Sequence, residues 1–128
     1  MKTRHVIGLS MLAGVALGAI VVQGLHAQAK PPVYVVGENT VTNVDAYTKE
    51  FVPLARASIK NAGGKAVAAS QNATSLEGAP QTSRVTINVF DSLEKAQAWR
   101  TGAEYTAARK IGDKYATFRA YVVEGLPQ

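Results

Sequence analysis

The stretch Arg84–Gly112, RVTINVFDSLEKAQAWRTGAEYTAARKIG, decides the fold because its hydrophobic period changes partway along. Over Arg84–Phe90, Val85, Ile87 and Val89 alternate with Arg84, Thr86 and Asn88, the period of two that marks a strand. From Leu93 onward, Leu93, Ala96, Trp99, Ala103, Ala107 and Ile111 recur at steps of three and four, which is one face of a helix. Asp91 or Ser92 supplies the cap, and Glu94, three residues after Asp91, reads as a capping box. Gly102 falls inside the helical run and predicts a bend.

Working outward, Phe118–Glu124 (FRAYVVE) reads as a closing strand ended by Gly125. On the other side, 71–82 is a polar loop with Gly78 and Pro80, and Lys65–Ser70 is a short strand of small residues. Tyr47, Phe51, Leu54, Ala55, Ile59 and Ala62 form a first amphipathic helix, capped by Asn43 and stopped by Gly63-Gly64. Pro53 lies inside it and predicts a kink or a helix in two pieces. Val33-Tyr34-Val35-Val36 is the first strand, entered through the stiff Lys30-Pro31-Pro32. The order is β-α-β-β-α-β. It predicts an α+β, ferredoxin-like domain over 30–128: a four-stranded antiparallel sheet with both helices on one face. Alternation puts Val85, Ile87 and Val89 against the helices, with Thr86, Asn88 and Phe90 pointing away. The helix-free face is then not fully polar, and a chain this short has nothing left to cover it, so a second copy is the economical partner.

Residues 1–29 read differently. Lys2 and Arg4 precede an uncharged run of 17 residues, Val6–Val22, and Ala27-Gln28-Ala29 gives small residues at a cut site. This is the pattern of a secretory signal peptide, with an uncleaved anchor as its rival. Four glycines within 8–24 and the small-residue exit favour cleavage after Ala29, and hence a periplasmic protein with no membrane attachment. The chain has no cysteine, and both histidines and both methionines lie in the leader. Residues 30–128 therefore have no imidazole for general base chemistry near neutral pH, and no thiolate or Ser-His-Asp nucleophile. Zinc, copper and haem sites are left with poor ligands, and neither metal nor cofactor is expected. With Lys2 and Arg4 gone, 12 basic residues face 9 acidic ones, a net of +3 without any basic run. That describes a solvated mixed surface, so nucleic acid is not expected as a partner.

Several short motifs, in order, resemble those of the domain of unknown function (DUF) 1330 family of the dimeric α+β barrel superfamily. They are Tyr34, Val44-Asp45-Ala46-Tyr47, Gly63-Gly64-Lys65, Leu76-Glu77-Gly78, Arg84-Val85 leading to Phe90, Ala98-Trp99, Glu104-Tyr105 and Val123-Glu124-Gly125. The resemblance covers 33–125 and implies two protomers paired sheet to sheet as a barrel; it implies no established activity. Members often open the first helix with Asp-Pro, where this chain has Asn43-Val44. Many also carry Arg about eight residues after the Glu-Tyr pair, where this chain has Gly112 and Arg109 is a substitute one turn away. The leader is an addition to the family pattern.

Candidate site residues each have a plain account beside the functional one. Trp99 on a helical stripe is core unless its ring lines a cavity. Tyr105 and Arg109, four apart, are a surface pair or dimer contact unless they meet a ligand. Thr86 and Asn88 are polar at mid-strand, so they form a buried network or line a pocket with Tyr34, Trp99 and Tyr121. Asp45 and Glu50 need no role beyond favouring a helix N-terminus. Two functions from different classes follow. One is a secreted homodimer that binds a small apolar or amphipathic ligand through Tyr34, Thr86, Asn88, Trp99, Tyr105, Arg109 and Tyr121, without catalysis. The other is a cofactor-free small monooxygenase or isomerase, whose catalytic residues the sequence does not single out.

Overall fold

The computed structural model of the protein describes residues 30–79 and 83–128; the leader read at 1–29 lies outside the described residues. Strand β1 runs Val33–Val41, longer than the Val33–Val36 core read from local preference. Gly37, Glu38 and Asn39 are poor strand formers. They stay extended because β1 is central in the sheet, paired with a strand on each side. Strands β2 (Lys65–Ser70), β3 (Arg84–Phe90) and β4 (Ala116–Glu124) complete an all-antiparallel sheet of order β2-β3-β1-β4. This is the ferredoxin-like arrangement that the element order predicts.

Pro53 acts one turn earlier than itself. A short helix α1, Val44–Ala46, opens with the Asn43 side chain accepting from the Ala46 amide at 3.1 Å. It leads into a π-helical segment, Tyr47–Phe51, and then helix α2, Val52–Asn61. Pro53 has no N–H to give Lys49, and its ring would crowd that carbonyl in a regular helix. The wider turn, in which the Val52 amide bonds Tyr47 O, accommodates it. The extra residue shifts the buried face, so Tyr47, Phe51, Ser58 and Ile59 are buried while Leu54 is exposed. Gly63, at φ 82°, ends α2 in the left-handed conformation.

The second helical run is likewise two helices, α3 (Leu93–Thr101) and α4 (Ala103–Gly112), broken where Gly102 becomes extended. The break resets the helical phase: Tyr105, Ala108 and Gly112 are buried in α4, rather than Ala103 and Ala107. The cap of α3 is Ser92, whose Oγ accepts from the Lys95 amide at 3.2 Å; Asp91 instead pairs with Lys95 Nζ at 3.0 Å, so no capping box forms.

The face assignment of β3 is the reverse of the sequence expectation. Val33 lies opposite Phe90, Val35 opposite Asn88, Gly37 opposite Thr86 and Asn39 opposite Arg84. Directly paired residues share a face. Phe90, 0% exposed and 5.4 Å from the Trp99 ring, sits under the helices and carries Asn88 and Thr86 with it. Val85, Ile87 and Val89 turn outward with Tyr34, Val36, Tyr121 and Val123, of which Tyr121 and Val123 are 43% and 48% exposed. The helix-free face is therefore the more aliphatic one. Among the described residues no helix is long and apolar enough to cross a membrane.

Candidate functional site

Three places under the helices hold polar or aromatic side chains beside empty space. The first lies between α2 and the β2–β3 half of the sheet, a cavity of about 70 Å³. Its floor follows from strand geometry, since Arg84, Thr86 and Asn88 project on one side of β3 at about 7 Å intervals. Gly37, opposite Thr86, carries no side chain; a Cβ there would lie 2.5 Å from Thr86 Oγ1. The roof is Tyr47, Phe51, Val52, Ala55 and Ile59, and Arg56 stands exposed at the rim.

Polar groups in this cavity are unequally satisfied. Asn39 Nδ2 donates to the Tyr47 hydroxyl at 2.9 Å, tying β1 to the π-helical segment. Arg84 Nη1 donates to Gln71 Oε1 at 3.2 Å, and its guanidinium carbon lies 5.5 Å from the Tyr47 ring centroid. Burial pushes the Tyr47 hydroxyl's pKa above its ordinary value, opposed by the Asn39 hydrogen bond and the charge of Arg84. Asn88 is only 7% exposed, yet among the described residues its carboxamide has no hydrogen-bond partner. Its oxygen and nitrogen keep access to the cavity, so the amide has bonds to offer whatever enters. No Asp or Glu is among the lining residues.

The second place lies between α2 and the α3–α4 junction, about 160 Å³, with Trp99, Tyr105, Ser58 and Glu104 in its wall. Trp99 is core, as its position on the helical stripe predicts. Its Nε1 donates to Ser58 Oγ at 3.0 Å, and Ser58 Oγ donates to Ala55 O at 2.7 Å. The Trp99 and Tyr105 rings lie 4.2 Å apart, and Asn61 holds Glu104 at 2.9 Å. Burial also raises the Tyr105 pKa, with Arg109 and Arg100 opposing it. The third place is a mostly apolar groove of about 170 Å³ where α3 crosses β1 and β4, with Trp99, Ala120, Tyr121 and Val122 in its wall.

The seven residues read from the sequence do not share one pocket. Thr86 and Asn88 are together in the first cavity, Trp99 and Tyr105 in the second, and Trp99 and Tyr121 line the groove. Tyr34 is separated because the register puts it on the outward face, where it lies near Gly125. Arg109 stays beside Tyr105 but lines none of these three places: its Nη2 is 3.0 Å from Asp113, and its guanidinium lies 3.9 Å over the Phe118 ring. Nor can an arginine replace Gly112 without rearrangement, since a Cβ there would meet Phe51 at 2.7 Å and Phe118 at 2.9 Å. Sequence reading missed Asn39, Tyr47, Arg84 and Arg56. The available signal was the polar run Glu38-Asn39-Thr40 in a valine-rich strand, but only the register shows that Asn39 opposes Arg84.

Comparison with known proteins agrees with this architecture. The family described as Domain of unknown function (DUF1330) matches residues 32–126. No curated protein gives a match. Among solved structures, the chain is similar to a methylated protein from Rhodopseudomonas palustris (16% identity, TM-score 0.62, covering 83% of this chain and 90% of that one). It is similar to a dimeric protein of unknown function and ferredoxin-like fold from Bacteroides fragilis (14%, 0.51, 73% and 96%). It is also similar to SnoaB, described as a cofactor-independent oxygenase, from Streptomyces nogalater (12%, 0.53, 77% and 96%). At these identities the likeness is one of fold alone.

Proposed function

The chain belongs to the DUF1330 family, and from that premise we propose that it is a homodimer, exported to the periplasm, that binds a small amphipathic molecule without transforming it. The observation that carries the binding reading is Asn88, a mostly buried residue whose amide opens onto the cavity without a hydrogen-bond partner among the described residues. A cavity of mixed aliphatic and polar wall is the usual form of a small-molecule site. The dimer reading rests on the outward face, where Val36, Val85, Ile87, Val89 and the Tyr121 ring make a mostly apolar surface on a sheet with no helix to cover it. Two such faces packed about 10 Å apart would bury it. The export reading rests on the pattern of residues 1–29.

The test uses protein expressed from the full chain. Sedimentation velocity at micromolar concentration should give a dimer, and thermal-shift screening against fatty acids, quinones, flavins and haem should give a reproducible shift without product formation. A stable monomer with no ligand shift would sink the proposal. The second reading, a cofactor-independent oxygenase, draws support from the fold shared with SnoaB. Oxygen uptake with a quinol, lost in Asn88→Ala or Trp99→Phe while folding is kept, would replace binding with turnover.

A further inference from the structure

We infer that the cavity under α2 takes the carboxylate of a small organic acid, held over Thr86 by the Asn88 amide with the guanidinium groups of Arg84 and Arg56 supplying charge. This rests on the ligand-binding reading above and names the ligand's chemistry. Three observations carry it. Asn88 and Thr86 lie on one face of β3, and neither side chain has a hydrogen-bond partner among the described residues, so both have donors to give. Arg84 lies on that same face on the far side of Thr86, and Arg56 stands at the rim. The titratable groups lining the cavity are these two arginines and Tyr47, whose hydroxyl already accepts from Asn39 and keeps its own proton to give. A site built of donors and cations, with no carboxylate of its own, prefers an anionic acceptor.

Size and the remaining wall choose among anions. A water-sized group needs roughly 10–15 Å³ of such space, so about 70 Å³ admits on the order of five to seven non-hydrogen atoms. Phe51, Val52, Ala55, Ile59 and Ala66 give the rest of the cavity an apolar wall. An inorganic ion would leave that wall facing water, whereas a short aliphatic chain would cover it. A carboxylate with a tail of three or four carbons satisfies both halves.

The experiment is a titration of the full-length-derived, ¹⁵N-labelled protein with butyrate, the near-isosteric neutral butyramide, acetate and inorganic phosphate, followed at the Asn88 side-chain amide. Butyrate should shift that signal and bind at least tenfold tighter than butyramide and several-fold tighter than acetate or phosphate. Asn88→Leu and Arg84→Gln should each reduce butyrate affinity about tenfold, and Arg84→Gln should also erase the preference over butyramide. Should Arg84→Gln fail to fold, Arg56→Gln, at an exposed position, should still reduce the preference for the anion. Equal binding of butyrate and butyramide at Asn88 overturns the carboxylate inference and leaves the binding proposal standing. Phosphate binding as tightly as butyrate overturns the organic acid. Shifts confined to the Trp99 indole overturn the location. Absence of binding by any of these probes, together with no shift from the broader ligand screen, overturns both.

Discussion

Asn39 donates to the Tyr47 hydroxyl at 2.9 Å with both side chains more than nine-tenths buried, so the centre of the sheet is pinned to the π-helical turn by one polar bond. Removing one partner leaves the other buried without it, and that asymmetry is larger than the net worth of the bond. Tyr47→Phe should therefore cost about 1–3 kcal/mol in urea unfolding, while Asn39→Leu combined with Tyr47→Phe should cost less than the two single changes added together. Additive losses would show that the bond does not couple them.

The same tyrosine makes stability depend on alkaline pH. Burial raises the pKa of Tyr47 and of Tyr105 in the folded state, so between the unfolded value near 10 and the raised folded value the native protein holds protons that the unfolded chain has lost. Their contribution is fully present below pH 10 and falls away as pH rises through the folded values. Unfolding free energy measured from pH 8 to 11.5 should drop more steeply in the wild type than in Tyr105→Phe. Parallel profiles would mean that other groups drive the alkaline loss.

The outward face offers a direct change. Ile87→Glu puts a carboxylate in the middle of the aliphatic surface and, in a two-fold assembly, repeats it on the partner. Sedimentation velocity should show the variant as a monomer, with the far-ultraviolet circular dichroism of each protomer kept. A dimer unaffected by that charge would place the contact elsewhere.

Gly112 is held between Phe51 and Phe118, with Arg109 lying over the same Phe118 ring. Gly112→Ala should cost about 1–3 kcal/mol through overpacking, because the aromatic groups nearest the new methyl are packed against each other at 5.2 Å. A neutral or stabilising result in thermal unfolding would show that the rings move aside freely.

Much of the fold was legible in the chain because it is written in local signals. The strand at Arg84–Phe90 and the strand at Lys65–Ser70 were read to the residue, as was the Asn43 cap, and Pro53 and Gly102 each announced the break in a helix. What misled was phase. A π-turn before Pro53 and an extended Gly102 each displace the helical face by a fraction of a turn, so Leu54, Ala103 and Ala107 fell outside the core although they match an uninterrupted period.

The order of the elements, the chemistry closed to a chain whose residues 30–128 have no His, Cys or Met, and the family motifs all come from the residues in line. Which side of β3 meets the helices does not, because a period of two is the same seen from either face. That choice was made by pairing between strands far apart in the chain, which sets Val33 against Phe90 and Asn39 against Arg84. Only the folded chain could bring Asn39, Tyr47, Arg84 and Asn88 around one cavity while sending Tyr34 to the opposite face.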